Sequence, residues 1–305
     1  MDTILQNTIH ILLVLTLPPL LLGVIGKTKA FFGGRVGPPL LQPYYDLIKL
    51  FQKGSVFSPT TTWVFRAGPV VGMVTPAIAL LMLPLIGSHA PVSFSGDILL
   101  LVYLLGLSRF FTASAALDTG SAFEGLGAAR EVTYACLVEP AFFMGLLVLA
   151  RLSGSLQPLA TMLGGLAPHW YAAGGSLILV LLSWFIVLLA ENSRVPIDDP
   201  NTHLELTMIH EVMVLDHSGP AFGMIMYGAA LKLFVYAALI ARLAFPLASG
   251  YPWLDWPLFA GEMLLVAAVI GIVESTRARL RLPQIPVLLL TACLLSAFGI
   301  ILLLR

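Results

Sequence analysis

The sequence predicts an all-α polytopic membrane protein, with about eight transmembrane helices and two amphipathic interfacial helices on the inner side. Three observations carry that prediction. The chain of 305 residues is 58% hydrophobic and only 10% charged, whereas a soluble domain carries about 25% charged residues. Apolar runs of about 20 residues recur along it, the length needed to cross the hydrocarbon core. Lys and Arg gather in alternate loops between those runs, as they do on the inner side of a bilayer.

The spans fall at about 4–26, 64–87, 98–117, 132–152, 174–190, 220–247, 257–275 and 284–304, forming one integral membrane domain over 1–305. Prolines inside spans, such as Pro69, Pro76 and Pro84 in the second, are acceptable because neighbouring helices re-satisfy the freed carbonyls. The first span has neither a basic leader nor a small-residue cleavage site and is expected to be retained. No internal repeat is visible, which argues against a repeat-built secondary transporter.

Orientation follows from the cations. Lys27, Lys29, Arg35, Lys49 and Lys53 lie in the first loop, Arg130 in the third, Arg194 in the fifth, and Arg277, Arg279 and Arg281 in the seventh. These loops share one side, so both termini are expected outside and the odd-numbered loops inside. Residues 38–53 are too polar to span. Leu40, Leu41, Tyr44, Leu47, Ile48 and Phe51 form an apolar face opposite Asp46, Lys49 and Lys53, so the segment reads as an interfacial helix. Residues 202–217 read as a second one, with Leu204, Met208, Ile209, Val212 and Leu215 on the apolar face.

The stretch Ala190–Pro220 holds Glu191, Asp198, Asp199, Glu205, Glu211 and Asp216, six of the chain's 16 acids, between two apolar spans. Carboxylates this close repel, which favours keeping some of them protonated. Two readings stand: a hydrated acidic loop, or a proton relay. Within the spans, Glu139 lies about 12 Å deep and Arg109 about 13 Å deep from the same side, by helix rise. They are expected to meet, either as a fixed ion pair or as part of a relay in which Pro140 loosens the helix. Lys232 is about twelve residues into the sixth span, too deep for easy snorkelling; it can give up its proton when desolvated or pair with an acid of the central loop. Glu262 and Glu274 stand near span ends, where solvation explains them.

Other chemistry is disfavoured. Net charge is zero, so no nucleic-acid partner is expected. Two cysteines, Cys136 and Cys293, are too few for an iron–sulfur cluster, which generally needs four ligands. His203, His210 and His217 are spaced by seven, about 10.5 Å on a helix, too far apart to share one metal ion.

The motifs resemble a known family. AENSRVPIDDP, with Ala190, Glu191, Arg194, Pro196 and Asp198, is similar to the quinone-side loop of the eight-helix membrane subunit of respiratory complex I. GRVGPPLLQPYYDLIKL (34–50) and VESTRARLRLPQ (273–284) resemble that subunit's first and seventh loops, so the match covers essentially the whole chain. RFFTASAALDTGSAFEGLGAAREVTYACLVEP (109–140) looks like the same segment in the membrane subunit of formate hydrogenlyase and related energy-converting [NiFe] hydrogenases. Asn201, Thr202 and His203 stand where the quinone enzymes carry glutamates. The resemblance implies a cofactor-free membrane subunit of a redox-driven proton or sodium pump. It would join peripheral hydrogenase-like large and small subunits, holding the [NiFe] centre and iron–sulfur clusters, to antiporter-like membrane subunits. Glu139, Glu191, Asp198, Glu205 and Asp216 would line the acidic channel, with Asp199, Glu211, Lys232 and Arg109 completing the coupling path. Arg35, Gly37 and Pro38, with Arg194, Arg277 and Arg279, would seat the peripheral arm. The alternatives are a quinone-site subunit of a complex I-type oxidoreductase and a stand-alone cation or proton transporter.

Overall fold

The computed structural model describes residues 3–155, 157–198, 208–246 and 249–304, so the candidate residues Asp199 and Glu205 lie outside the described residues. Among the described residues the regular structure is helical, and eight helices are long and apolar enough to cross a membrane. These are α1 (Thr3–Phe32), α3 (Trp63–Met82), α4 (Asp97–Asp118), α5 (Ala122–Leu152), α7 (Ala167–Glu191), α8 (Gly219–Ala244), α9 (Pro252–Thr276) and α10 (Ile285–Leu303). Two short helices join them, α2 (Gln42–Phe51) and α6 (Leu159–Gly164).

Several boundaries differ from expectation, α1 running on to Phe32 and α7 beginning at Ala167 among them, and two differ for identifiable reasons. The second span ends at Met82 rather than 87, because Leu83 precedes Pro84 and is forced into extended backbone (ψ 131). The fourth span begins ten residues earlier than expected. AFEGLGAARE has three Ala and two Glu, good helix formers, and it extends α5 towards its N-terminus. The loop expected between the third and fourth spans is therefore a tight turn over 119–121.

The ends of the helices define two faces. On one, called here the basic face, the Thr62 and Phe65 N–H groups that open α3 donate to Asp118 at the end of α4, at 2.7 and 3.2 Å. The same face joins Leu280 N–H to Pro196 O at 2.8 Å. On the opposite face His89 meets Asn7 at 2.9 Å, and Leu159 N–H donates to Asp97 at 2.8 Å. Helix α8 forms the centre, packed by α3, α1, α7 and α9. From Leu233 to Ala241 no residue of it is more than 5% exposed.

Helix α2 forms where the apolar spacing placed it. None of its residues is buried, and Tyr45, Ile48 and Phe51 remain exposed. It rests on α8, where Gly223 lets Leu50 and Phe51 approach. The second expected interfacial helix is different over its described part, residues 208–217. There the chain makes a 3₁₀ turn, Glu211–Val214, and Met208, Ile209, Val212, Met213 and Val214 are all buried. Gly127 of α5 makes room for Val212 and Met213, so the apolar side faces protein rather than lipid. Asp198 accepts from the N–H groups of Ile209 and His210, at 3.0 and 3.3 Å, and pins the turn inward.

Candidate functional site

Arg109 of α4 is the hub of a charged cluster inside the bundle. Its Nη1 donates to Glu139 of α5, and its Nη2 donates to Glu191 at the end of α7 at 2.5 Å. Its Nε lies 3.9 Å from Glu131, also on α5. Lys232 of α8 reaches the second oxygen of Glu191 at 2.8 Å. Four helices thus converge on two cations and three carboxylates, a net charge of minus one when all are ionised. The expected Arg109–Glu139 pair is present, and Lys232 finds its acid. Glu191 faces cations rather than the neighbouring carboxylates that its position in the sequence suggested.

The five groups differ in exposure. The Glu191 side chain is only 3% exposed, whereas that of Glu139 is 50% exposed on the outer surface of α5. A charge at the centre of a bilayer costs roughly 2.5–3.5 kcal/mol. Glu139 stands in the middle of a spanning helix and is not sheltered by its own chain.

Three cavities run from the basic face towards this cluster. The outermost, of about 830 Å³, is lined by all six residues expected to seat a peripheral arm: Arg35, Gly37, Pro38, Arg194, Arg277 and Arg279. A middle cavity of about 170 Å³ shares Leu22 and Arg194 with it, and also touches Asp198, His210 and Glu211. The innermost, about 60 Å³, contains Arg109, Glu131, Glu191 and Lys232, and shares Asn192, His210, Ile225 and Ala229 with the middle one. Gly228 of α8 lies against the Gly72 carbonyl of α3, an approach that a side chain would block.

Asp198 belongs to the outer part of this path, paired with Arg279 at 2.8 Å. Asp216 does not join it. Its carboxylate is exposed and lines none of the three cavities, while its N–H donates to Glu124 at 3.1 Å. Glu262 and Glu274 are both buried, so solvation does not explain them. Glu274 is held by Lys29 at 2.8 Å and Arg194 at 3.4 Å, which ties α9 to α1 and to the central loop.

Sequence reasoning missed Glu131 and His210. Glu131 was within reach, since residues eight apart on a helix share a stripe and Glu139 was already selected. His210 drew attention only as a metal ligand. The structure puts it at the junction of the inner and middle cavities, where burial, with Lys232 adding to it, pushes its imidazole down to about 4. Among the described residues no group of three or more His, Cys, Asp or Glu side chains is arranged to hold a metal ion.

An eight-span bundle with a charged cluster among α4, α5, α7 and α8, opening to one face, defines a multi-pass membrane protein. The chain belongs to the NADH dehydrogenase family, whose model matches residues 5–305. It is 32% identical over 297 residues to formate hydrogenlyase subunit 4 of Escherichia coli (strain K12), covering 93% of each chain. It is also 32% identical over 273 residues to hydrogenase-4 component C of the same organism, covering 88% of this chain and 85% of the relative. A subunit of the NADH-quinone oxidoreductase of Rubrobacter xylanophilus is 26% identical over 263 residues, covering 82% of this chain and 77% of the relative. Among solved structures, that of the membrane-bound sulfane sulfur reductase, an archaeal respiratory membrane complex, holds a chain of the same fold. Its TM-score is 0.84 at 21% identity, covering 98% of this chain and 99% of that one.

Proposed function

We propose that the chain is the anchor and coupling subunit of a hydrogenase-type, redox-driven proton or sodium pump in a prokaryotic inner membrane. Its basic face is cytoplasmic and both termini are outside. A peripheral arm carrying a [NiFe] centre and iron–sulfur clusters sits over Arg35, Gly37, Pro38, Arg194, Arg277 and Arg279. A redox step in that arm changes charge at the outer cavity. The change passes through Asp198 and His210 to Arg109, Glu131, Glu191 and Lys232, and leaves through Glu139 to an antiporter-like neighbour.

The observation that carries this is Glu139: a mid-span carboxylate bound to Arg109 at its inner end and half-exposed on the protein's outer surface. In lipid it would be strongly unfavourable. Against a partner subunit it is a hand-over point. The same helix bundle separates the cluster from the opposite face along α8. Lys232 and Arg242, the charges nearest the two faces on that helix, are separated by about 15 Å. The residues between them, Leu233 to Ala241, are buried, and all but Tyr236 are apolar.

The test is to purify the intact complex through a tag on this chain and measure nickel and hydrogen evolution. Proton movement is then followed in vesicles carrying Glu139→Gln or Glu191→Gln. Nickel with hydrogen evolution is expected, and both variants should lose proton movement while electron transfer to soluble acceptors continues. Unchanged pumping in both variants would remove the relay. Iron–sulfur clusters without nickel, with quinone retained, would move the chain to the quinone-oxidoreductase side.

A further inference from the structure

The outer cavity has a composition that seating a protein arm does not require. Among the described residues its walls carry Lys29, Arg35, Arg194, Arg277 and Arg279 against a single carboxylate, Glu274. Glu274 is taken by Lys29 and Arg194, and Arg279 is paired with Asp198. Arg35 and Arg277 are left with no ion pair to any described residue. The space is about 830 Å³, within the range of about 300–1,000 Å³ usual for small-ligand sites.

The other end of the space is apolar. Leu22 and Ile25 of α1 form its deep wall, and Leu22 continues into the middle cavity, where Val214, Phe222, Ile225 and Met226 face it. Phe31, Phe32 and Val36, which flank Arg35 in the chain, are exposed, and none of the residues of α2 is buried. Tyr44 and Tyr45 of α2, amphipathic rings within this basic loop, mark the level of the lipid headgroups. A cationic mouth at headgroup depth that leads to an apolar slot fits an amphiphile with an anionic head. A neutral headgroup leaves the guanidiniums uncompensated, and an acidic protein loop has no use for the slot.

We propose that this cavity binds the phosphodiester of an anionic phospholipid between Arg35 and Arg277, with an acyl chain running along α1 towards the middle cavity. The site goes beyond the seating role proposed for the same residues, because it concerns what fills the cavity rather than what covers it. Guanidinium is suited to it, since its fork of donors matches the oxygens of a phosphate.

The experiment uses the complex purified in mild detergent, with bound phospholipid measured by native mass spectrometry and by phosphorus content. The wild type is compared with Arg35→Gln/Arg277→Gln and with Arg35→Lys/Arg277→Lys. Delipidated samples are then re-exposed to phosphatidylglycerol vesicles, phosphatidylcholine vesicles, or inorganic phosphate alone. The wild type is expected to retain phosphatidylglycerol over phosphatidylcholine, the Gln pair to bind it about tenfold more weakly or worse, and the Lys pair to recover part of the loss. Equal retention by wild type and Gln pair overturns the site, as does equal retention of the two lipids. Displacement by millimolar inorganic phosphate assigns the cavity to a soluble anion and overturns the lipid. Subunits that co-purify are recorded separately. Loss of those subunits with lipid retained assigns the arginines to the protein contact and overturns the proposal. Arginine-dependent lipid with no peripheral subunit present supports it while the seating role fails.

Discussion

The contact between Lys232 and Glu191 can be weighed by a double-mutant cycle. The two side chains are 2.8 Å apart, and Lys232 and Glu191 are 12% and 3% exposed. Removing one partner of a buried pair costs roughly 3–5 kcal/mol, because the other charge is left uncompensated. Glu191 keeps Arg109 when Lys232 is lost, so the lower end applies. Lys232→Met, which preserves volume, should destabilise by about 3 kcal/mol. Glu191→Gln should cost a similar amount, since it strands Lys232 and weakens Arg109. The double variant removes both charges, and the coupling should be about 2 kcal/mol. The readout is cleavage of the chain by a broad-specificity protease in the purified complex, under conditions where opening and reclosing outpace cutting. Each factor of ten in cleavage corresponds to about 1.4 kcal/mol. Each single variant should be cut more than about a hundredfold faster, and the double variant about thirtyfold slower than the product of the singles predicts. A double variant within about twofold of that product would refute the claim that these charges are coupled.

Two other outcomes are expected. His210 and His217 are both held at about 4 by burial, from an ordinary value of 6.5. Between those values the unfolded chain binds more protons than the folded one, so stability falls as pH drops from about 6.5 to 4. His217 stacks on Phe65 at 3.9 Å, so His217→Phe should keep the stack and remove up to about 3 kcal/mol of that acid sensitivity, seen as a flatter dependence of melting temperature on pH. Gly37 and Gly34 both have positive φ (66 and 63), but a β-carbon at Gly37 meets that of Ala30 while Gly34 faces open space. Gly37→Ala should therefore lower thermal stability of the complex by about 2–3 kcal/mol and Gly34→Ala by only about 1. Equal costs would remove the steric part of the explanation.

Much of the fold was readable, and the misses share a cause. Span number and spacing follow from apolar runs, which need no knowledge of neighbours. The meeting of Arg109 with Glu139 was readable because depth is one-dimensional: helix rise from a common face placed both at a similar level. What the sequence hides is which side of a span faces protein. Helices wrapped in lipid are apolar all round, so they carry no stripe to mark an inner side. Glu131 and Glu274 were therefore misjudged, one overlooked and one dismissed as a solvated end. The turn at 211–214 was misread for a related reason. Its apolar residues were real, but the surface they cover belongs to α5 and not to lipid. Convergence of the six basic-face residues on one cavity was suggested by resemblance alone, since they come from separated segments of the chain.

The charge count of the cluster has a consequence for how such a subunit couples. Two cations serve three carboxylates, so no assignment of partners satisfies all of them at once. Arg109 touches Glu139 and Glu191 but stands 3.9 Å from Glu131, at the limit of an ion pair. On the proposed reading, a proton arriving on Glu139 weakens its hold on Arg109 and allows the guanidinium to close on Glu131. A proton arriving on Glu131 or Glu191 has the reverse effect. The carboxylates compete for one guanidinium, and they lie at opposite ends of its reach: Glu191 and Glu131 towards the cavities of the basic face, Glu139 towards the outer surface of α5. Charge at one end is thereby felt at the other through a single side chain. On the same reading the half-exposed Glu139, and not the buried stretch Leu233 to Ala241 of α8, is where the effect would leave the chain.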